Sequence, residues 1–139
     1  MNQAIIVDFN RQYAAQIRRI RHTVFTSEQG IDQVLDFDGS DPGASHVLVS
    51  TDDKFAGTGR LLKDGHIGRL AVLSEFRGRG LGADAVKALV EEAKRLGMNR
   101  VFLGAQKHAV EFYMPLGFIV YGEPFMDAGI EHIHMERSI

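Results

Sequence analysis

The densest group of chemically useful residues is a glycine-rich segment that also carries two arginines. It reads Arg77-Gly78-Arg79-Gly80-Leu81-Gly82 and lies between an apolar run and a stretch with helical periodicity. Glycines let a backbone approach a ligand closely, and the first N–H groups of a helix carry a partial positive charge. With two guanidinium groups added, the segment predicts a site for a multiply charged anion such as a pyrophosphate. A tight turn with solvent-facing arginines is the alternative.

The same segment also matches a dinucleotide-binding pattern. Gly78, Gly80 and Ala83 satisfy G-x-G-x-x-A. A Rossmann unit needs an acidic residue about 20 positions further on to hold the ribose, and residues 101–105 contain none. The segment also follows three predicted antiparallel strands rather than a first parallel strand. A dinucleotide-binding protein is therefore a minor alternative.

Histidines offer a second kind of chemistry. His132 and His134 lie two apart on a predicted strand, so their side chains share a face, as in some metal sites. Because no third ligand stands near them in the sequence, we expect a packed or hydrogen-bonded pair and no metal. His46 opens another predicted strand and is either a structural partner or a pocket residue.

The segment from residue 26 to residue 44 is acidic. Its aspartates would suit a cationic ligand, although a solvated loop is the interpretation that we favour. The segment is not a calcium loop, because the spacing from Asp36 to Asp41 places Asp, rather than Gly, at the sharp turn. The aspartates are Asp32, Asp36, Asp38 and Asp41.

Length and composition limit the classes of protein. The chain has 139 residues, a formal net charge of −2 from 16 Lys and Arg against 18 Asp and Glu, and no Cys. One domain spanning 1–139 is expected, since a second would leave each half with too small a core. The slightly acidic balance argues against a nucleic-acid partner. Without Cys, disulfides, thiolate metal sites and cysteine nucleophiles are excluded. The first residues resemble neither a signal peptide nor a membrane span, so we expect a cytoplasmic protein without a membrane partner.

Hydrophobic periodicity predicts the elements that position these residues in the first half. A strand spans 4–9, and apolar residues three and four apart from Tyr13 to Phe25 predict an amphipathic helix. Residues 26–44 are predicted as a loop, or as a loop interrupted by a short helix. Three strands follow, joined by turn residues as in an antiparallel meander, at 46–50, 55–62 and 66–72.

The second half alternates helices and strands. Leu81 to Leu96 has one apolar face, and Gly97 is expected to end that helix. Further elements are a strand at 101–105, a short helix at 109–114 that Pro115 ends or kinks, and strands at 118–121 and 132–136. The order predicts an α+β fold with a central mixed, mostly antiparallel sheet flanked by helices.

Two linked motifs resemble those of the GNAT superfamily of acyl-CoA-dependent N-acetyltransferases. The segment 77–82 is similar to that family's [QR]-x-x-G-x-[GA] loop, and 106–118 is similar to its second block, N-x-x-A-x-x-x-Y-x-x-x-G-F. The resemblance covers nearly the whole chain, and finer features resemble the small bacterial stand-alone branch of ElaA and YjcF type. Gln106 stands where the second block usually has Asn, and Pro115 stands where many relatives carry charged helix formers. Both departures bear on the geometry around Tyr113.

The resemblance implies a coenzyme site. In the family, two parallel strands splay apart to form the acyl-CoA cleft, and the strand before the glycine loop runs beside the pantetheine arm. By this resemblance the backbone of Leu70 and Val72 binds that arm, and the N–H of Val72 is the oxyanion donor. The complete implied coenzyme-binding set is Leu70, Ala71, Val72, Arg77, Gly78, Arg79, Gly80, Leu81, Gly82, Gln106, Phe112 and Tyr113.

The resemblance also implies a reaction. Acetyl-CoA would donate an acetyl group to a primary amine of a small molecule or peptide, by direct attack in a ternary complex. Tyr113 stands at the family's general-acid position, with a core aromatic as the alternative. Glu28 is the first candidate for the base, because the segment after the first helix usually walls the acceptor pocket, with a surface glutamate as the alternative. A non-catalytic acyl-CoA-binding or sensing module is the rival function, and a homodimer through exposed last strands stays open.

Overall fold

Two four-stranded antiparallel sheets lie side by side in the computed structural model, which describes residues 1–139. The strands of the first sheet, in their order across it, are β1 (Gln3–Val7), β2 (Ser45–Thr51), β3 (Lys54–Leu61) and β4 (Ile67–Val72). The strands of the second sheet, in chain order, are β5 (Arg100–Gln106), β6 (Ile119–Val120), β7 (Phe125–Asp127) and β8 (Ile130–Ser138). Strand β8 pairs with the other three. The predicted α+β class and the mostly antiparallel, helix-flanked architecture are confirmed.

The helices cover the sheets and turn the chain between strands. They are α1 (Arg11–Arg21), α2 (Gln33–Asp36), α3 (Leu81–Arg95) and α4 (Val110–Tyr113). A π-helix, His22–Glu28, continues α1 directly, so the predicted helix through Phe25 is present but widens in its last part. None of the helices combines the length and the apolar character that a membrane span requires.

Strand β7 was absent from the prediction. It has only three residues, and the glycines and the proline around it, Gly122, Pro124 and Gly129, indicate a loop. Pairing with β8 forms this strand, because Phe125 lies opposite His132 and Asp127 lies opposite Ile130. The sequence alone could not supply that partner.

Helix α3 packs on the first sheet through one apolar face. Its buried residues include Leu81, Ala85, Leu89 and Ala93, as the periodicity predicts. Leu89 comes so close to β3 that a Cβ at Gly59 would lie 3.0 Å from its Cδ1. The helix ends as predicted, since Gly97 adopts φ +82° and its N–H donates to the carbonyl of Lys94 at 3.0 Å.

The two sheets join at a single parallel bridge. His66 and Phe102 pair there, the N–H of Phe102 donates to the carbonyl of Gly65 at 3.0 Å, and the two rings stack with centroids 5.0 Å apart. Beyond the bridge β4 and β5 belong to different sheets, so the strands diverge and leave a wedge-shaped space. We call this space the acyl cleft, after the acyl-CoA cleft that the resemblance implies. The predicted splayed parallel pair is confirmed.

A bulge shapes β4 along the cleft. Thr58 pairs with Ala71 and Arg60 pairs with Gly68, so β4 has one residue more than β3 between these two pairs. Within the bulge Arg69 adopts φ +51°. This left-handed conformation costs free energy, so other contacts must compensate for it. Those contacts come from its guanidinium group. Nε donates to the carbonyl of Asp36 and Nη2 to the carbonyl of Leu35, each at 3.0 Å.

Three arginines and three aspartates form a network around this bulge. Arg21 binds Asp36 at 3.0 Å and Asp41 at 2.7 Å. Arg60 binds Asp38 at 2.9 Å and Asp41 at 3.1 Å. Arg69 binds Asp36 at 3.2 Å and Asp38 at 3.1 Å. Every member has two partners of opposite charge, and the formal charges cancel. We call these six residues the arginine–aspartate network.

The prediction that residues 26–44 form a solvated loop is wrong where this network lies. Asp36 and Asp41 are only 2% and 4% exposed, because arginines from α1, β3 and β4 neutralise their charges. His46 is buried beside them, and its Nε2 lies 3.0 Å from the carbonyl oxygen of Asp41. Burial lowers the pKa of His46. His46 is therefore a structural partner of this loop.

The join between the sheets predicts a strong effect of Gly65→Ala. Gly65 adopts φ +96°, and a Cβ there would lie 2.6 Å from the carbonyl oxygen of Arg100. We expect a loss of about 2 to 5 kcal/mol in the free energy of unfolding, measured by urea denaturation. Gly97→Ala is the matched control, because Gly97 has φ +82° but no atom within 4 Å of the added Cβ. Equal losses in the two variants would contradict the role of the close approach.

The network also predicts a dependence of stability on acid. Hydrogen bonds from Arg60 hold the pKa of Asp38 well below its ordinary value. Burial acts to raise the pKa of Asp41, but hydrogen bonds from Arg21 and Arg60 bring it below its ordinary value. Stabilisation from such groups is present above their ordinary pKa of about 4 and is lost as the pH falls below it.

Asp38→Asn should therefore reduce the loss of unfolding free energy between about pH 7 and pH 3. Urea titrations at both pH values measure this loss. Asp8→Asn, at an exposed residue outside every ion pair, should leave the loss as it is in the wild type. An unchanged loss in Asp38→Asn would show that other groups control the acid dependence.

Candidate active site

The glycine-rich segment forms the turn that starts α3. Gly78 and Gly80 adopt φ +80° and +84°, and Gly80 is the residue before the first helical one. The backbone N–H groups from Gly78 to Ala83 donate to no carbonyl of the chain. A run of unpaired N–H groups at a helix N-terminus is the arrangement that binds phosphate groups in proteins. The turn therefore has the geometry for a pyrophosphate.

The two arginines of this turn are held by carboxylates. Nη1 and Nη2 of Arg77 contact the carboxylate oxygens of Glu28 at 2.5 and 2.7 Å, and its Nε donates to the carbonyl of Val72 at 3.0 Å. A hydrogen bond from Arg77 lowers the pKa of Glu28. Arg79 pairs with Asp52 at 3.0 Å. Arg77 thus connects the end of β4 to the π-helix.

The backbone of Val72 faces the acyl cleft. Leu73 donates to the carbonyl of Ala56 on β3 at 2.9 Å, and Val72 lies opposite Gly57. Because hydrogen-bonded and non-hydrogen-bonded pairs alternate in an antiparallel ladder, the N–H of Val72 points away from β3. Leu70 lies within the bulge, where this alternation is interrupted, and it lines the cavity described below. At least the N–H of Val72 therefore faces the cleft.

Phe112 and Tyr113 lie beside the glycine turn. A Cβ at Gly82 would be 3.3 Å from Cζ of Phe112 and 3.8 Å from Cγ2 of Val72, so the absence of a side chain at Gly82 lets Phe112 pack there. The ring of Tyr113 meets Phe112 and Phe118 edge to face, with centroids 4.9 and 5.9 Å apart. Burial raises the pKa of Tyr113 to about 12. Its hydroxyl group is therefore a neutral hydrogen-bond donor at physiological pH.

Helix α4 ends at Tyr113. The next residues, Met114–Leu116, form a 3₁₀ turn that contains Pro115, and Gly117 follows at φ +93°. Proline at this place removes a backbone donor and prevents the α-helix from continuing. The predicted effect of Pro115 is therefore seen in the structure as the end of the helix.

A cavity of about 330 Å³ opens from the cleft, and we call it the cleft cavity. Three of the residues predicted for the site line it, namely Leu70, Gln106 and Tyr113. Glu28 does not line it, but Gln29 from the same segment does. The structure therefore brings Tyr113 to the cavity, whereas Glu28 is not among its lining residues and pairs with Arg77.

The hairpin of β7 and β8 forms a wall that the sequence analysis did not include. Phe125, Asp127 and His132 line the cleft cavity from this hairpin. The ring of Phe125 lies over β5, where a Cβ at Gly104 would be 2.6 Å from its Cζ. His134 stacks on the same ring with centroids 4.1 Å apart. His132 and His134 thus pack against one aromatic ring, and only His132 reaches the cavity.

His66 is a further lining residue that sequence reasoning missed. It lies in the cleft cavity at the bridge between the sheets. Burial lowers its pKa. No motif marks this histidine, because its place at the cavity depends on the single bridge that it forms with Phe102.

Comparisons with known proteins agree with this geometry. Residues 12–139 match the family model described as an acetyltransferase (GNAT) domain. The uncharacterized N-acetyltransferase YjcF of Bacillus subtilis is 36% identical over 123 residues, which cover 86% of this chain and 88% of YjcF. ElaA of Escherichia coli is 32% identical over 130 residues, which cover 87% of this chain and 84% of ElaA.

Solved structures have the same fold. The crystal structure of Escherichia coli ElaA superimposes with a TM-score of 0.86 at 28% identity and covers 99% of both chains. An acyl-CoA N-acyltransferase from Pseudomonas aeruginosa superimposes with a TM-score of 0.86 at 26% identity, again over 99% of both chains. The resemblance noted from two sequence motifs is thus confirmed over the whole chain. The chain belongs to the GNAT acetyltransferase family and is an acyl-CoA-dependent acetyltransferase.

Proposed function

We propose that the protein transfers an acetyl group from acetyl-CoA to a primary amine of a small molecule or peptide, by direct attack in a ternary complex. One observation carries the proposal. Two different sites lie along β4: the unpaired N–H groups of residues 78–83 follow it in the chain, and the cleft cavity is lined by Leu70 of β4 and by Tyr113. The first site suits the coenzyme, and the second leaves space for an acceptor.

The coenzyme would follow β4 into the cleft. Its pyrophosphate would accept hydrogen bonds from the N–H groups of the turn formed by Arg77, Gly78, Arg79, Gly80, Leu81 and Gly82. Its pantetheine arm would pair with the backbone of Leu70, Ala71 and Val72, as an added strand pairs with a free sheet edge. Gln106 would border the arm from β5, and Phe112 would pack near the turn.

The reaction needs few groups from the protein. The nitrogen of the neutral amine forms a bond to the acetyl carbon, the bond from that carbon to sulfur breaks, and one proton moves overall from nitrogen to the thiolate. The products are an N-acetylated amine and coenzyme A. The N–H of Val72 would stabilise the negative charge that develops on the thioester oxygen.

Tyr113 would stabilise the departing sulfur by a hydrogen bond. Its pKa is raised to about 12, whereas a thiol has a pKa of about 8.5. Complete proton transfer from the phenol to the thiolate is therefore uphill by about 5 kcal/mol. A hydrogen bond from a neutral phenol to a thiolate is charge-assisted and requires no such transfer.

The amine must lose a proton before or during the attack. A primary alkyl amine with a pKa of about 10.4 is neutral in on the order of one molecule in 10³ at pH 7. Glu28 is a weak proton acceptor, because its hydrogen bond from Arg77 lowers its pKa. We therefore assign to Glu28 the positioning of Arg77 against the carbonyl of Val72, and to water in the cleft cavity the removal of the proton.

Tyr113→Phe should reduce kcat at least about tenfold and leave the affinity for acetyl-CoA within about twofold of the wild type. The ring and its packing remain, and only the hydrogen bond to sulfur is lost. Steady-state kinetics with any accepted amine, and calorimetry with acetyl-CoA, measure the two effects. Tyr121→Phe is the control, because Tyr121 packs against His134 and not in the cleft cavity. An unchanged kcat in Tyr113→Phe would exclude the assigned role.

Acetyl-CoA should raise the melting temperature by several degrees, whereas NAD and ATP at equal concentration should not. A ligand at about 100 times its dissociation constant adds roughly 2.7 kcal/mol to the free energy of unfolding. Thermal denaturation with each compound measures this. A shift with NAD and none with acetyl-CoA would overturn the assignment of the glycine turn. Stabilisation without turnover of any amine would instead support the sensing module.

A further inference from the structure

The charged residues that line the cleft cavity include more carboxylates than cations. Apart from histidines, its charged residues are Asp36, Arg69 and Asp127. The charge of Arg69 is offset by Asp36 at 3.2 Å and by Asp38 at 3.1 Å. Asp127 is exposed and forms no ion pair with any residue of the chain. A carboxylate without an arginine or lysine partner therefore lines an otherwise charge-balanced space.

The position of Asp127 is fixed by its hairpin. Phe125 and Asp127 are two residues apart on β7, so their side chains lie on the same face of the strand, about 7 Å apart along it. Phe125 covers Gly104 on β5 from that face. The two-residue turn after Asp127 consists of Ala128 at φ +52° and Gly129 at φ +75°, which is the type I′ geometry of a tight hairpin.

The surroundings of Asp127 favour a cation with an apolar part. The cleft cavity is also lined by Phe25, Ile31, Leu35, Leu103 and Phe125. Such walls accommodate a methylene chain, and a carboxylate beside an aromatic ring is a suitable site for an ammonium or guanidinium group.

We propose that Asp127 binds a second cationic group of the acceptor, so that the preferred substrate is a diamine or another amine with a distal ammonium or guanidinium group. This inference rests on the proposed acetyl transfer and specifies its substrate class. One end of such a substrate lies at the acyl cleft as the nucleophile, and its other end pairs with Asp127. Asp127 acts on substrate choice and takes no part in the transfer of the proton.

The test compares three acceptors of similar length, 1,4-diaminobutane, butylamine and 4-aminobutanoate. After correction for its two equivalent ends, 1,4-diaminobutane should have a kcat/KM about three to ten times that of butylamine, with 4-aminobutanoate the poorest. Asp127→Asn should remove this preference, because it should lower kcat/KM for 1,4-diaminobutane about three to ten times more than kcat/KM for butylamine. Asp127→Lys should reverse the order of 1,4-diaminobutane and 4-aminobutanoate.

Glu131→Gln is the matched control. Glu131 is an exposed, unpaired carboxylate on the same hairpin, opposite Met126, so its side chain lies on the other face from Asp127. Its removal changes the net charge equally and should keep the preference for the diamine. A preference that survives in Asp127→Asn, or that is lost equally in Glu131→Gln, would overturn the inference.

Calorimetric binding of 1,4-diaminobutane, in the presence of coenzyme A, separates this inference from the proposed function. If the wild type turns over none of the three amines, the proposed reaction fails for this class of acceptor. The binding ratio of wild type to Asp127→Asn still decides the role of Asp127. A ratio of about three or more supports the site, and a ratio near one excludes it.

Discussion

The arginine–aspartate network fixes the strand on which the acyl cleft depends. Removing one charge from such a network leaves its partners buried without compensation, which typically costs several kcal/mol. Arg69 has a special place in it, because the same residue forms the bulge of β4 at φ +51° and holds the carbonyls of Leu35 and Asp36. The network therefore sets both the course of β4 and the position of the wall that Leu35 contributes to the cleft cavity.

The two ends of β4 along the cleft are held by different contacts. At the closed end, Gly65 allows the backbones of β4 and β5 to approach until Phe102 donates to its carbonyl. At the open end, Arg77 holds the carbonyl of Val72 and the carboxylate of Glu28 together. The two strands are thus joined at the closed end, whereas at the open end β4 is held by the π-helix, and the N–H of Val72 stays unpaired.

The parts of the structure that could be predicted are those with a local cause. The turn residues between β2, β3 and β4, the apolar face of α3 and the glycine that ends it all act within a few positions in the sequence. The burial of Asp36 and Asp41 could not be predicted, because their partners come from α1, β3 and β4. The wall formed by β7 and β8 was missed for the same reason, since Phe125 is placed by pairing with His132 and by contact with Gly104.

The two ends of the proposed site also differ in charge. The unpaired N–H groups before α3 give a positive potential where an anionic coenzyme would bind. The arginine–aspartate network lies nearby with cancelling charges, so that it contributes rigidity and little net field. Asp127 then leaves a negative charge at the cleft cavity. A polyanionic donor and a cationic acceptor would be drawn to opposite ends, and their reacting groups would meet in the cleft between them. The near-zero net charge of the chain, −2, hides this separation, which only the fold creates.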